Sequence, residues 1–324
     1  VVAGGGIIYD SGLKVDRRSV GSRRRKAMPV PLAEIAKDHG ERVMANTAAL
    51  GAAAGVVEYS YERLADIIRK NFRRKGPEVV AANLRVGRAA YIYAQDRYAA
   101  DFEWKLEAVA GAPDRMVMSG NAAFALGALA GGCRFISAYP MTPATSVIEW
   151  MAKHEHQFGV VTKHAEDEIA AVNMAIGANF VGVRAMPATS GGGFSLMSEA
   201  LGLAGLCEVP LVLFEAQRGG PSTGLPTRTE QSDLLFVLHA SQGEFPRLVL
   251  APGTIEECFE SGWRAFNLAE KYQTPVIVLS DQLLGSTVRT VEVEAIEFDK
   301  VEIDRGKLLR KEELDALDLS LIHI

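Results

Sequence analysis

The chain has 324 residues, of which 48% are hydrophobic and 23% charged, which is typical of a globular protein with room for two domains. Its net charge of −5 gives no sign of a surface that binds nucleic acid. No apolar run approaches the ~20 residues that cross a bilayer, and no signal peptide is evident, so we expect a cytoplasmic protein without membrane contact.

Residues 1–105 predict a mostly helical region with one strand at 7–9. The predicted helices are at 31–38, 43–56, 61–72 and 77–97. The basic run at 22–26 has no aromatic partners, and we interpret it as a solvated loop. Because the chain enters a glycine-rich segment almost directly after Val1, we expect it to begin inside a domain.

Residues 106–114 predict a linker, after which strands and helices alternate through a domain at 115–290. Such alternation predicts an α/β fold, a mostly parallel sheet with helices on both faces. Residues 291–324 are expected to start a linker to a missing C-terminal domain, and we interpret the closing LSLIHI as foreign sequence. The predicted strands are at 116–118, 135–138, 159–162, 183–188, 210–215 and 275–279, and the predicted helices at 121–131, 145–154, 166–179, 194–206 and 255–271.

Ligands of parallel sheets bind beyond the carboxyl ends of the strands, and three turns there carry polar groups. The first, YPMTPAT at 139–145, places Thr142 just before a helix. The second, TSGGGF at 189–194, has glycines that let a ligand approach the backbone at a helix start suited to an anion. The third is a long loop at 217–233 that begins with Arg218, a planar cation able to bind a carboxylate with two hydrogen bonds.

The segment AEDEIAAVNMAIG at 165–177 predicts a helix that is packed on most of its surface. Glu166 and Asp167 suit the positive end of the helix dipole. Ala170, Ala171 and Ala175 give Glu168 no obvious partner, so burial should raise its pKa. The acids are therefore either caps of a structural helix or, for Glu168, a functional carboxylate. The residues alone indicate a site for a carboxylate substrate or an organic cofactor.

Metal binding is not supported by the histidines or by the cysteines. His154, His156 and His164 lie near a charged helix end where no acid is clearly placed to complete a site. The three cysteines are far apart, without CxxC, zinc or iron–sulfur spacing, and indicate reduced thiols. We therefore expect no metal on this chain.

Four segments, YPMTPAT, AEDEIAAVNMAIGA, TSGGGFSLMSE and QRGGPSTGLPTRTEQSDL, resemble in order and spacing the α subunit of 2-oxoacid:ferredoxin oxidoreductases, most of all the 2-oxoglutarate type. The similarity runs from about residue 115 to 308. Residues up to about 97 resemble the end of the γ domain of the same enzymes, fused ahead of α. The resemblance implies that residues 115–290 form the domain that binds the pyrimidine of thiamine diphosphate.

By motif position, the resemblance assigns Glu168 as the catalytic carboxylate, which hydrogen-bonds the aminopyrimidine ring. It assigns Thr142 and Arg218 to the substrate, and the turn with Ser190, Gly191 and Gly193 to the cofactor. It also implies oxidative decarboxylation of a 2-oxoacid, with 2-oxoglutarate as the expected substrate, to an acyl-CoA and CO2, with ferredoxin as electron acceptor.

Two departures from the family pattern matter. Gly192 stands where the family usually has proline, which loosens the turn without removing a chemical group. The chain also has no GDG…N motif for Mg2+ and diphosphate and no cysteine-rich cluster motif. The resemblance places these, with a [4Fe-4S] cluster, on a β subunit, so we expect activity only with that partner. The alternatives are a non-catalytic α/β binding or scaffold protein, or a family member acting on pyruvate or branched-chain 2-oxoacids.

Overall fold

The computed structural model describes residues 4–15, 26–107 and 109–316. Most of the basic run and the terminal LSLIHI, like Val1, lie outside the described residues. The chain divides into two compact units, residues 1–112 and 113–324. None of the helices in the described ranges is both long and apolar enough to cross a bilayer.

The first unit is mostly helical, as predicted, but its described residues form two strands where the sequence predicted one. The strand that the sequence did not predict pairs in parallel with the first, in a register that places Tyr9 opposite Pro29. Proline has no N–H to donate to a neighbouring strand, so its presence in a sequence argues against a strand. The elements are β1 Gly6–Asp10, β2 Lys26–Val30, α1 Leu32–His39, a 3-10 turn Arg42–Met44, α2 Ala45–Val56, α3 Tyr61–Phe72, a 3-10 turn Arg73–Lys75, α4 Pro77–Ala94 and a π-helical turn Gln95–Ala99.

The second unit alternates strands and helices. Its first elements are β3 Arg115–Ser119, α5 Gly120–Ala130, β4 Phe135–Ala138, α6 Thr145–Lys153, α7 Glu155–Phe158, β5 Val161–His164, α8 Glu168–Phe180, β6 Ala185–Thr189, α9 Gly191–Leu206 and β7 Val212–Gln217. The remaining elements are α10 Leu234–His239, β8 Leu248–Leu250, α11 Ile255–Tyr272, β9 Val276–Asp281, α12 Gln282–Ser286, β10 Val288–Glu292, 3-10 turns Val293–Ile296 and Phe298–Lys300, and α13 Lys311–Asp315.

Six of these strands form a parallel sheet in the order β5-β4-β6-β7-β9-β8. Successive side chains of β9 alternate between two cores: Val276 and Val278 pack with α5 and α11, whereas Ile277 and Leu279 pack with α8 and α9. Helices therefore cover both faces of the sheet, and the predicted α/β class is confirmed.

The prediction that the strand at 116–118 continues the parallel sheet is wrong. β3 instead pairs antiparallel with β10 in a separate two-stranded sheet, where Val117 lies opposite Thr290. The side chains of β3 alternate in exposure, as expected for a ladder with one solvated face, whereas β6 and β7 are buried throughout. The apolar run Met116–Met118 does not alternate in the sequence, so the sequence carried no signal against membership of the central sheet.

A buried ion cluster fastens the segment after β10 to the sheet unit. Glu270 of α11 accepts hydrogen bonds from Arg184 at 2.6 Å and from Arg305 at 2.7 Å. Arg184 is buried and also donates to the carbonyl of Asp304 at 2.8 Å. The negative charge of one carboxylate thus interacts with the positive charges of two guanidinium groups.

We expect Glu270→Gln to destabilise the chain by about 3–5 kcal/mol, because it leaves a buried guanidinium without its counter-charge. Glu260→Gln is the matched control: it removes a half-exposed carboxylate of the same helix, paired with Arg264 at 2.6 Å, and should cost under about 1 kcal/mol. Urea denaturation measures both changes. Equal costs would show that the buried cluster contributes no more than a surface pair.

Candidate functional site

The candidate site lies at the carboxyl ends of β4, β6 and β7. Three segments meet there: the turn at 139–145, the first turn of α9, and the loop at 218–233. This is the edge where a parallel sheet binds ligands. The order of the strands makes β6 the neighbour of both β4 and β7, so the three predicted turns become adjacent.

Glu168 is the first residue of α8, but it is not the cap. The preceding Asp167 is the N-cap, and its carboxylate accepts the N–H of Ala170 at 2.7 Å. Glu166 is exposed, whereas Glu168 is only 3% exposed. The Oε1 atom of Glu168 is buried and accepts no hydrogen bond from the described residues. The structure therefore separates a capping acid from a buried carboxyl that has unused hydrogen-bonding capacity.

Burial raises the pKa of Glu168, and the charge of Asp167 adds to this, whereas a hydrogen bond from its own backbone and the charge of Arg218 oppose it. A buried carboxyl tends to keep its proton because the charged form is poorly solvated. Glu168 is thus suited to sharing a proton with a ligand atom near neutral pH.

The glycines at 191–193 form the first turn of α9, so the prediction that this helix begins at 194 is wrong. Phe194 donates its N–H to the carbonyl of Ser190, which closes the first turn. Glycine has a poor helix propensity, but tertiary packing overrides it here. Ser190 is the buried N-cap, with a hydroxyl that has no partner in the described chain.

Gly193 lies directly against the buried carboxyl. A Cβ atom at this position would lie 2.7 Å from Glu168 Oε1 and would also collide with the hydroxyl of Thr189. The N–H of Gly193 points to the sulfur of Met141, at 3.2 Å. Only the missing side chain leaves room for Glu168 in this position.

Arg218 directly follows β7 and is 6% exposed. Its guanidinium donates to two backbone carbonyls, that of Thr142 at 2.6 Å and that of Thr223 at 2.7 Å. Burial lowers the pKa of Arg218, and the charges of Asp233 and Glu168 oppose this. Arg218 therefore joins the first and third turns, and this contact of Thr142 is through its carbonyl group.

The turn at 139–145 is held from a second side by Asn121, which the sequence did not single out. Its side-chain amide donates to the carbonyl of Pro143 at 2.9 Å and to the hydroxyl of Ser146 at 2.7 Å. Thr142 itself is exposed. Its side chain is therefore accessible on a turn whose backbone is held by Asn121 and Arg218.

A cavity of about 660 Å³ opens between the three segments. Arg218 and Gly191 line it, whereas Glu168, Thr142, Ser190 and Gly193 are not among its lining residues. The predicted residues thus divide into two that line the cavity, a buried layer formed by Glu168, Ser190 and Gly193, and the exposed Thr142. Further lining residues include Met141, Gly192, Ser222, Thr223, Asp233 and Phe236.

Two acids of the site were missed by the sequence prediction. Glu215 is buried within β7, and Asp233 lies at the end of the long loop, where it lines the cavity. The signal for Glu215 was present, since a lone acid in the apolar strand VLFEAQ is unusual. No sequence signal indicated that Asp233 would meet it.

His154, one of the histidines that were considered for metal binding, makes other contacts. His154 hydrogen-bonds the carbonyl of Trp150 at 2.7 Å and packs against its ring. Among the described residues, no group of three histidine, cysteine or acidic side chains could hold a metal ion.

We expect Gly193→Ala to destabilise the chain by about 1–3 kcal/mol, because the added methyl group must displace Glu168 and Thr189. Gly192→Ala is the control, since a Cβ there would lie 3.5 Å from the nearest atom, a carbonyl oxygen, and alanine favours a helix by about 0.5–1 kcal/mol. The measurement is the free energy of unfolding of each variant. Stabilisation by both substitutions would contradict the close packing of Glu168 on Gly193.

Comparison with known proteins identifies the family. A family model described as pyruvate flavodoxin/ferredoxin oxidoreductase, thiamine diphosphate-binding, matches residues 126–322. A second model, described as pyruvate ferredoxin/flavodoxin oxidoreductase, matches residues 1–93. The two matches overlap the two parts of the chain whose sequences resemble this family, residues 115–308 and residues up to about 97.

Curated relatives carry the same family names. The 2-oxoacid:ferredoxin oxidoreductase subunit alpha of Saccharolobus solfataricus is 38% identical over 306 residues, which are 88% of this chain and 47% of that protein. The 2-oxoglutarate oxidoreductase subunit KorA of Mycobacterium tuberculosis is 41% identical over 256 residues, 77% of this chain and 39% of that protein. The chain thus spans less than half the length of these two relatives.

A solved structure supports the same conclusion. It is a 2-oxoglutarate:ferredoxin oxidoreductase from Magnetococcus marinus with 2-oxoglutarate, coenzyme A and succinyl-CoA bound. It is 37% identical to this chain, superposes with a TM-score of 0.84, and the match covers 95% of this chain and 53% of that one. The resemblance of the four motifs is confirmed, and the chain belongs to the pyruvate flavodoxin/ferredoxin oxidoreductase family, with a thiamine-diphosphate-binding domain in its second part.

Proposed function

We propose that this chain is the α-type subunit, with γ-like residues ahead of it, of an enzyme that oxidatively decarboxylates a 2-oxoacid to an acyl-CoA and CO2. The observation that carries the proposal is Glu168, a buried carboxyl at the motif position of the family, one oxygen of which has no hydrogen-bond partner among the described residues. A protein that kept only the fold would have no use for such a group, because burying an unpaired polar atom costs free energy.

The residues of the buried layer fit thiamine diphosphate. Glu168 would share a proton with the aminopyrimidine ring, since its Oε1 has no partner in the described chain and burial raises its pKa. Gly193, with no side chain, and Ser190, with a free buried hydroxyl, would face the same ring. Gly191 begins a helix whose N-terminal end suits negative charge. When bound, the cofactor supplies the carbanion chemistry of the decarboxylation.

Arg218 and Thr142 would orient the substrate. Arg218 uses one N–H of each terminal nitrogen on a backbone carbonyl, so the other N–H groups of its five-donor guanidinium can bind a carboxylate in the cavity. Thr142 is exposed on the adjacent turn, and we propose that its hydroxyl binds the 2-oxo group. We propose 2-oxoglutarate as the substrate, because relatives and the solved structure carry that name.

The remaining components belong to partners of this chain. We propose a β subunit that supplies the Mg2+ and diphosphate site and a [4Fe-4S] cluster, with ferredoxin as the electron acceptor and coenzyme A as the acyl acceptor. The names of the relatives, alpha subunits and ferredoxin oxidoreductases, support this division. The three cysteines are free thiols, which agrees with our proposal of a cytoplasmic enzyme.

We expect Glu168→Gln to lower turnover by about 10²–10⁴-fold, because an amide cannot exchange the proton that the carboxyl shares. Glu166→Gln, which changes an exposed acid two residues away, should have little effect. Both variants are reconstituted with the β subunit, and 2-oxoacid oxidation is followed with a viologen dye. Loss of activity in Glu166→Gln, with Glu168→Gln unaffected, would move the catalytic role to the other acid.

We expect Arg218→Lys to lower kcat/KM for 2-oxoacids by roughly 1–3 kcal/mol, because lysine keeps the charge but cannot hold both carbonyls and a carboxylate at once. Thiamine diphosphate binding should change little. Arg228→Lys is the control, an exposed cation of the same loop. Equal losses in the two variants would indicate a disordered loop, and a loss confined to Arg228→Lys would place the carboxylate contact further along the chain.

A further inference from the structure

Glu215 is a fully buried acid, 0% exposed, in the middle of the central strand β7. Its strand neighbours in register are Thr189 of β6 and Leu279 of β9. Both of its carboxyl oxygens are buried, and no N–H or O–H group of the described protein donates to either of them. A lone carboxylate in this position would be strongly unfavourable, because its charge would have no compensation.

The group that interacts with Glu215 is another carboxyl, that of Asp233. Asp233 is held beside this face of β7, because its N–H donates to the side chain of Gln217, which lies two residues beyond Glu215 and therefore on the same face of the strand. The Oδ2 atom of Asp233 is also buried and receives no donor from the backbone or from other side chains of the described chain. Two ionised carboxylates carry only acceptors, so a hydrogen bond can join them only when one of them holds a proton. At this contact, like charges would also repel each other in a poorly solvated place.

We propose that Glu215 and Asp233 share one proton at neutral pH, and that this shared proton holds the end of the 218–233 loop against the first turn of α9, so that the pair positions Arg218. The proton stays on Glu215 and the charge on Asp233, because Glu215 is the more deeply buried of the two. Neither acid is assigned to substrate or cofactor chemistry. They are positioning residues that act through the loop.

The contacts of Asp233 connect the end of the loop to α9 and to β7. A Cβ atom on Gly191 would lie 2.6 Å from Asp233 Oδ2, so this carboxyl rests on the first residue of α9. The N–H of Asp233 donates to the side-chain oxygen of Gln217 at 3.1 Å, and Gln217 donates to the carbonyl of Ser280 at 3.3 Å. The far end of the loop is thereby held next to its beginning, where Arg218 lies.

The charges around the pair agree with one shared proton. Burial raises the pKa of Glu215 well above its ordinary value, and the Asp233 carboxyl raises it further. Burial also raises the pKa of Asp233, as does Glu230, whereas its hydrogen bonds with Glu215 and Ser232 and the charge of Arg218 lower it. Glu168 also interacts with Arg218, so the charge of this cation acts on two acids.

The pH dependence of stability follows with a definite sign. Since the pKa of Glu215 is raised in the folded chain, the native state keeps a proton that the unfolded state releases. The stabilisation is fully present below the ordinary glutamate pKa and is lost as pH rises toward the raised value. The wild-type chain should therefore lose stability toward alkaline pH more steeply than a Glu215→Gln variant, which has no proton to lose there.

Infrared difference spectroscopy on the full chain tests the proton itself. We expect the difference spectrum between the wild type and Glu215→Gln at neutral pH to contain the carbonyl band of a protonated carboxylic acid, because subtraction cancels any band of Glu168, which both chains share. The difference spectrum between the wild type and Glu230→Gln, which changes an exposed acid of the same loop, should lack this band. Absence of the band from the first difference spectrum, or its presence in the second, would overturn the proposal. This measurement is independent of enzymatic activity, so its outcome is separate from that of the proposed function.

Trypsin cleavage after the exposed Arg228 tests the hold on the loop. The Glu215→Gln amide can still donate to Asp233, so cleavage should stay slow at every pH. Glu215→Leu removes the donor, and cleavage should be fast even at neutral pH, while circular dichroism confirms that the chain remains folded. Wild-type cleavage should accelerate toward alkaline pH. Equal protection in the glutamine and leucine variants, or a wild-type rate that does not change with pH, would show that the shared proton does not hold the loop.

Discussion

The carboxyl group of Glu168 is buried against Gly193, a residue without a side chain in the first turn of α9. The arrangement of the candidate site depends on this contact. Gly193 leaves the space that Glu168 occupies, and Asp167 takes over the capping of α8, so Glu168 need not act as a cap. An acid placed in this way keeps unused hydrogen-bonding capacity at the cost of desolvation. Functional sites often carry such costs, which the surrounding fold compensates.

Arg218 connects this buried layer to the cavity. Its hydrogen bonds to the carbonyls of Thr142 and Thr223 join two segments that follow different strands. Its charge also acts on both Glu168 and Asp233. In a poorly solvated place these interactions are stronger than at an exposed surface. The positions of the cation and the acids are therefore coupled, and a change in one of them should be felt across the site.

The sequence predicted the fold class and the edge of the sheet at which the polar turns lie, because both depend on local patterns. Alternation of apolar strands with helices indicated a parallel sheet, and three polar turns after strands indicated its ligand-binding edge. Local patterns failed where tertiary contacts override propensity. Three glycines form a helical turn instead of a loop, and a strand with Pro29 pairs with β1. The strand at 115–119 joins β10, which is distant in the sequence.

The sequence by itself determined which chemical groups stand at the ends of the strands, including Glu168, Thr142 and Arg218. Only the tertiary structure decided what each group contacts. Arg218 meets the carbonyl of Thr142 across 76 positions of the chain, and Glu215 meets Asp233 at the far end of a loop. Propensity and periodicity act over a few residues, whereas such contacts arise from the order of strands in the sheet and from the way a long loop closes. The physical reason is that a side chain's partner is set by proximity in space, which local sequence does not encode.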